Sequence, residues 1–156
     1  MNKNRPSRKE VLEEPAAIYG IRPATRPGAR RRKLDARETV ATIRAGLPMV
    51  EFEALQDLLG LGAEELAGHL AISRSTLMRR RKGGRLDPQE SDRLLRYARL
   101  FARAEAVLQN GDAARAWLKA PARALAMETP LAFAETEAGT REVENLLGRI
   151  EHGVFS

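Results

Sequence analysis

Residues 63–87 read AEELAGHLAISRSTLMRRRKGGRLD, and within them Arg74, Arg79, Arg80, Arg81 and Lys82 place five cations in nine residues with no Asp or Glu between. A solvated surface helix normally mixes signs, so this bias points to a polyanion. The same stretch reads as two short helices joined by a tight turn. In that arrangement the first helix braces the second, and the second enters the major groove of double-stranded DNA. Leu66, Ala67, Leu70, Ile72 and Leu77 supply the apolar brace. Arg74, Ser75 and Thr76 form the first turn of the second helix, and Arg79 lies about one turn on from Ser75. Arg can pair guanine bidentately, and Ser or Thr can bond bases or phosphates, so these four are assigned to base edges. Arg80, Arg81 and Lys82 are assigned to phosphates at the rim of the site.

Other chemistry is poorly supplied. The chain has no Cys, which excludes disulfides and thiol catalysis and fits a reducing cytoplasm. His69 and His152 are the only histidines, and neither sits among candidate ligands, so no metal is expected; His69 reads as a helix-surface residue. There is no Ser-His-Asp set and no glycine-rich phosphate loop. Without a convergent set of titratable groups the chain is not expected to be an enzyme, and no cofactor is implied. No apolar run approaches the ~20 residues that span a bilayer, so no membrane partner is expected.

The elements that position the cations are helical. Hydrophobic residues make up 43% of the 156 residues but aromatics only 4%, so the core is built from Leu, Ala, Ile and Val. Leu and Ala favour helix, and the apolar spacing is helical rather than alternating. The expected class is all-α. Asp35 caps a helix to about Ala45 that Gly46 ends, and Pro48 opens a second with Val50, Leu55, Leu58 and Leu59 inward. Residues 64–71 form a third, and Ser73 caps the fourth, which Gly83 and Gly84 stop. Asp87-Pro88 opens the longest helix, to about Gln109, with Leu94, Leu95, Ala98, Phe101, Ala102 and Leu108 on its inner face. Asn110-Gly111 breaks the chain and Asp112 caps the next helix, which Pro121 closes. Thr129-Pro130 starts a short one, Gly139 breaks it, and residues 140–151 form the last, with Val143, Leu146, Leu147 and Ile150 inward.

Three segments follow: an extended basic arm over 1–34, a helical DNA-binding domain over 35–109 and a small helical domain over 110–156. The arm contains Pro6, Pro15, Pro23 and Pro27, which disfavour helix, and ends in Arg30-Arg31-Arg32-Lys33. Net charge is +6 over residues 1–35, +2 over 36–100 and −2 over 101–156, so the two ends suit different partners.

Residues 113–156 contain no catalytic constellation, but their order of Ala113, Ala114, Trp117, Leu118, Pro121, Leu125, Thr129, Pro130, Leu131, Thr136, Glu137, Gly139, Val143, Glu144, Leu147, Arg149, Ile150, His152 and Gly153 resembles the C-terminal domain of Xre/MbcA/ParS-type antitoxins. Residues 60–100, with Ser91, Arg93, Leu94 and Arg96, resemble the Xre-like DNA-binding region of the same family. The resemblance covers residues 46–156. The chain departs from the family pattern at Ala122, Ala126-Met127 and Ala134. It implies an antitoxin that binds a RES-domain toxin acting on NAD, and that covers the toxin's active site with its C-terminal region. The toxin-facing residues it suggests are Trp117, Leu131, Glu137, Arg149, Glu151, Gly153, Phe155 and Ser156. Gly153 would give flexibility, Phe155 an apolar anchor and Ser156 the terminal carboxylate. It further implies repression of the antitoxin's own operator, as a homodimer or in a larger toxin–antitoxin complex. The competing reading is a stand-alone helix-turn-helix regulator whose C-terminal half senses a ligand or only dimerises.

Overall fold

Six of the eight α-helices among the described residues begin at a side chain that accepts a hydrogen bond from the backbone of the first turn. The computed structural model describes residues 35–153; the arm over 1–34 and residues 154–156, which include Phe155 and Ser156, lie outside the described residues. Helix α1 (Ala36–Ala45) starts at Asp35, whose carboxylate accepts from Glu38 N while Glu38 accepts from Asp35 N. Helix α2 (Met49–Leu59) follows Pro48, and α3 (Ala63–His69) follows Gly62. Helix α4 (Arg74–Gly83) is capped by Ser73 Oγ, which accepts from Thr76 N at 3.2 Å. Helix α5 (Pro88–Leu108) has Pro88 in its first turn and a capping box between Asp87 and Glu90. Asn110 caps α6 (Gly111–Lys119), Thr129 caps α7 (Pro130–Phe133) and Thr136 caps α8 (Glu137–Glu151). A 3-10 turn spans Arg123–Leu125. The described residues contain no strand, only one bridge between Pro48 and Arg85.

The fold corrects several expectations. Asn110, not Asp112, caps α6, because its Oδ1 reaches Ala113 N at 2.9 Å. Gly139 does not break the chain: it sits in the first turn of α8, where a Cβ would lie 1.7 Å from the Phe133 carbonyl oxygen, so only glycine permits the approach of α7. In α2 the inner face carries Met49, Phe52, Leu55 and Leu59, and Val50 is half-buried. Ala102 faces solvent, while Tyr97, Leu100 and Ala104 face inward.

Helix α5 is the spine, packing against α1, α2, α6 and α8. One hydrophobic cluster runs from Leu47 to Leu147, joining Phe52, Leu55 and Leu66 to Leu118, Val143 and Leu147 through Leu94, Leu95, Leu100 and Phe101 of α5. Burial of this kind stabilises by roughly 1.5–3 kcal/mol per large apolar side chain.

Polar contacts tie the N-terminal helices to the later ones. Tyr97, 2% exposed, donates from its hydroxyl to the Leu131 carbonyl at 3.0 Å. Burial pushes its phenol well above the usual range, so it stays a donor. His69 is not a surface residue: its ring lies 5.8 Å from that of Tyr97, and its Nδ1 is 3.3 Å from Glu135 Oε1. Cations meet three helix C-termini, where carbonyls are unpaired and the helix dipole is negative. Arg85 donates to the carbonyls of Ala45 and Gly46 after α1, Arg115 and Lys119 to those of Leu58 and Gly60 after α2, and Arg93 to that of Leu70 after α3.

One buried acid has no such partner. Glu51 is 1% exposed, its Oε2 accepts no hydrogen bond, and burial raises its pKa from 4.5 to about 7. The folded state therefore holds this proton more tightly than the unfolded chain. The group's contribution to stability is greatest below about pH 4.5, falls as pH rises from 4.5 to about 7, and is constant above that. Glu51→Gln removes this dependence. By denaturant unfolding, the variant is expected to exceed the parent by roughly 3 kcal/mol at pH 8 and to match it near pH 4.5. Parallel profiles for the two proteins would contradict the burial of an ionisable carboxyl there.

Candidate nucleic-acid interface and carboxyl-terminal surface

Helix α4 divides sharply into two faces. Leu77 is 2% exposed and packs into the core, with Thr76 and Arg80 half-buried beside it at helical spacing. Arg74, Ser75, Met78, Arg79, Arg81 and Lys82 face solvent. The brace is as the pattern implies: Leu66, Ala67, Leu70 and Ile72 are all buried under α4 and its preceding turn. The turn itself runs through Ala71 in the left-handed region at φ +54°.

The expected contact residues divide into two groups. Arg79 and Lys82, with Arg81, are exposed and, among the described residues, make no ion pair or side-chain hydrogen bond, so their charges are available to a partner. Arg74 lies 3.3 Å from Glu64, but both side chains are more than two-thirds exposed, and such a pair is weak and readily exchanged. Ser75 is exposed, with its Oγ 3.2 Å from that of Ser73. Thr76 is turned further in, and its hydroxyl accepts from Ser73 Oγ at 3.0 Å.

Arg80 departs from its expected place at the phosphate rim. Its Nε donates to Glu90 Oε2 at 2.8 Å, and its NH2 group donates to Asp87 Oδ2 at 2.9 Å and to Glu90 Oε1 at 3.2 Å. The hydrogen bond that Arg80 donates to Glu90, which is 5% exposed, raises the Arg80 pKa further above its ordinary value. Arg80 is thus an internal clamp between α4 and the start of α5. The signal was its spacing, three residues from Leu77 and four from Thr76, which puts it on the inner face. Met78 is the residue that sequence reasoning passed over. It stands 53% exposed in the middle of the cationic face, one turn from both Arg74 and Lys82.

At the other end, the suggested partner-facing residues are not one surface. Leu131 is 3% exposed, a correction, since its side chain is in the core and its carbonyl holds Tyr97. Trp117 is half-buried against the same core. Glu137 is exposed and pairs with Arg141 at 3.0 Å, with Arg96 at 3.9 Å. Arg149 pairs with Glu142 at 3.3 Å, and Glu151 pairs with Arg103. Gly153 is exposed with φ +66°, consistent with a turn out of α8. Among the described residues no group of His, Cys, Asp or Glu is placed to hold a metal ion.

A braced, cation-faced helix on an all-α core is the architecture of a helix-turn-helix module, and a further helical unit follows it. Comparison with known proteins gives the same division. Residues 38–99 match the antitoxin Xre-like helix-turn-helix domain, and residues 103–153 match the antitoxin Xre/MbcA/ParS C-terminal toxin-binding domain. A protein of Photorhabdus laumondii named Antitoxin Xre is 35% identical over 119 residues, covering 74% of this chain and 80% of that one. One of the same name from Yersinia enterocolitica is 43% identical over 86 residues, covering 54% and 57%, and one from Pseudomonas putida is 40% identical over 68 residues, covering 44% and 43%. The chain belongs to the Xre family of antitoxins, proteins that bind rather than catalyse.

The clamp makes a stability prediction. Glu90→Ala removes half of a capping box and leaves Arg80 facing only Asp87, so it is expected to destabilise by about 2–3 kcal/mol in urea unfolding. Arg79→Ala, on the free face, is expected to change stability by less than about 0.5 kcal/mol. Equal small effects from both would contradict the clamp.

Proposed function

We propose that this antitoxin binds its own operator through α4 and neutralises a RES-domain, NAD-consuming toxin through its C-terminal region. The observation that carries the first half is the exposed face of α4, where Arg74, Arg79, Arg81 and Lys82 stand with no acidic residue among them. Arg74, Ser75 and Arg79 take base edges, and Met78 offers an apolar contact of the kind that suits a thymine methyl group. Arg81 and Lys82 take phosphates. Two copies, related by a twofold axis, present two such helices to a pseudo-palindromic site and repress transcription of the antitoxin's own operon in the cytoplasm. Among the described residues no helix is long and apolar enough to cross a membrane.

The second half is supported by the match of residues 103–153 to a toxin-binding domain. The region around Arg149, Glu151 and Gly153 leads into the segment holding Phe155 and Ser156, and this end of the chain covers the toxin's dinucleotide pocket. Arg149 and Glu151 meet groups that otherwise handle the charged substrate.

Binding to the promoter fragment, measured by fluorescence anisotropy across a salt series, tests the DNA face. Arg79→Glu is expected to abolish specific binding with the fold intact. Lys82→Gln should reduce the slope of log affinity against log salt by about one. Affinity unaffected by Arg79→Glu would remove α4 from the interface. For the other half, co-expression with the protein encoded next to this chain is decisive. The parent should restore growth and Phe155→Ala should restore it poorly; full rescue by Phe155→Ala would show that the chain end does not cover the toxin.

A further inference from the structure

The turn after Arg123–Leu125 carries two consecutive residues in the left-handed region, Ala126 at φ +53° and Met127 at φ +68°. A Cβ disfavours that region, and glycine enters it freely. The loop is nonetheless firmly closed. Ala122 N donates to the Glu128 carbonyl and Met127 N to the Ala122 carbonyl, both at 3.0 Å, while Leu125 is buried beneath them. The fold therefore holds a strained backbone whose result is to present Met127 to solvent at 62% exposure. A costly backbone combined with an exposed, flexible apolar side chain is what a binding anchor requires.

Beside it lies a groove of about 540 Å³ between α7 and the start of α8. It is lined by Ala132, Phe133 and Ala138 and by the carboxylates of Glu128, Glu135 and Glu142. Glu135 faces His69 and Glu142 faces Arg149, but Glu128, next to Met127 in the chain, makes no ion pair among the described residues. Both features lie inside the segment that matches a toxin-binding domain. We propose that Met127 and this groove form the main grip on the toxin: Met127 enters an apolar socket, and the groove receives an adjoining cationic side chain. This rests on the toxin reading above, under which the partner carries cationic groups for the phosphates of a dinucleotide and so complements the groove's charge.

The test uses the full chain and the protein encoded next to it, with affinity measured by calorimetry and stability by thermal melting. Met127→Ala is expected to weaken the complex at least tenfold with little change in Tm. Met127→Gly should weaken it as much while raising Tm, because it relieves the backbone. Ala126→Gly should raise Tm and leave affinity unchanged. Glu128→Lys should weaken binding, more so at low salt. Parent-like affinity of both Met127 variants overturns the anchor, and parent-like affinity of Glu128→Lys overturns the role of the groove. If the parent chain itself fails to bind the neighbouring protein, the toxin reading falls, and this proposal falls with it.

Discussion

The bonds of Arg80 to Glu90 and Asp87 hold the two working parts of this fold in register. Those carboxylates also satisfy the first amides of α5, so one set of oxygens both starts the spine helix and fixes the cation-faced helix α4. Without that tie, α4 would rest on the core through Leu77 and a half-buried Thr76 alone. A helix that short is marginal in isolation and depends on tertiary contacts for its direction. Ser91, one residue on, extends the junction: it donates to the Asp87 carbonyl and accepts from Leu47 N, bringing the link between α1 and α2 to the same point.

The basic charge of the chain thus has two uses, and only one of them is external. Arg85, Arg93, Arg115 and Lys119 end helices, and Arg80 joins two of them. Arg79, Arg81 and Lys82 stand exposed on α4, the surface proposed for DNA. The same spine carries the second half. Tyr97 and His69 connect the helix-turn-helix to Leu131 and Glu135, and Glu135 also lines the groove beside Met127. The residues matching the helix-turn-helix domain and those matching the toxin-binding domain share one hydrophobic core.

What the sequence revealed and what it hid follow from the range of the interactions. Caps at Asp35, Ser73, Asp87 and Thr129 act within four residues, so the helix starts were legible. The cationic helix was legible because its bias is local, and the family because its motif residues are spread over both halves. Arg80 was misassigned because its partners lie seven and ten residues on, beyond its own helix. The resemblance alone makes Leu131 partner-facing, and its burial comes from a core assembled from residues far apart in the chain. Gly139 passed for a helix breaker because the need for glycine comes from the carbonyl of Phe133 folding back on it. The groove was invisible, since its carboxylates come from three separate places in the chain.

DNA and toxin are proposed to occupy two separate surfaces of one core. Hydrogen exchange by mass spectrometry on the full chain, alone, with promoter duplex and with the neighbouring protein, examines that directly. The duplex should slow exchange over residues 73–83 and leave 122–153 unchanged, and the protein partner should do the reverse. Slowing of both regions by the duplex alone, or of 73–83 by the protein alone, would contradict the division.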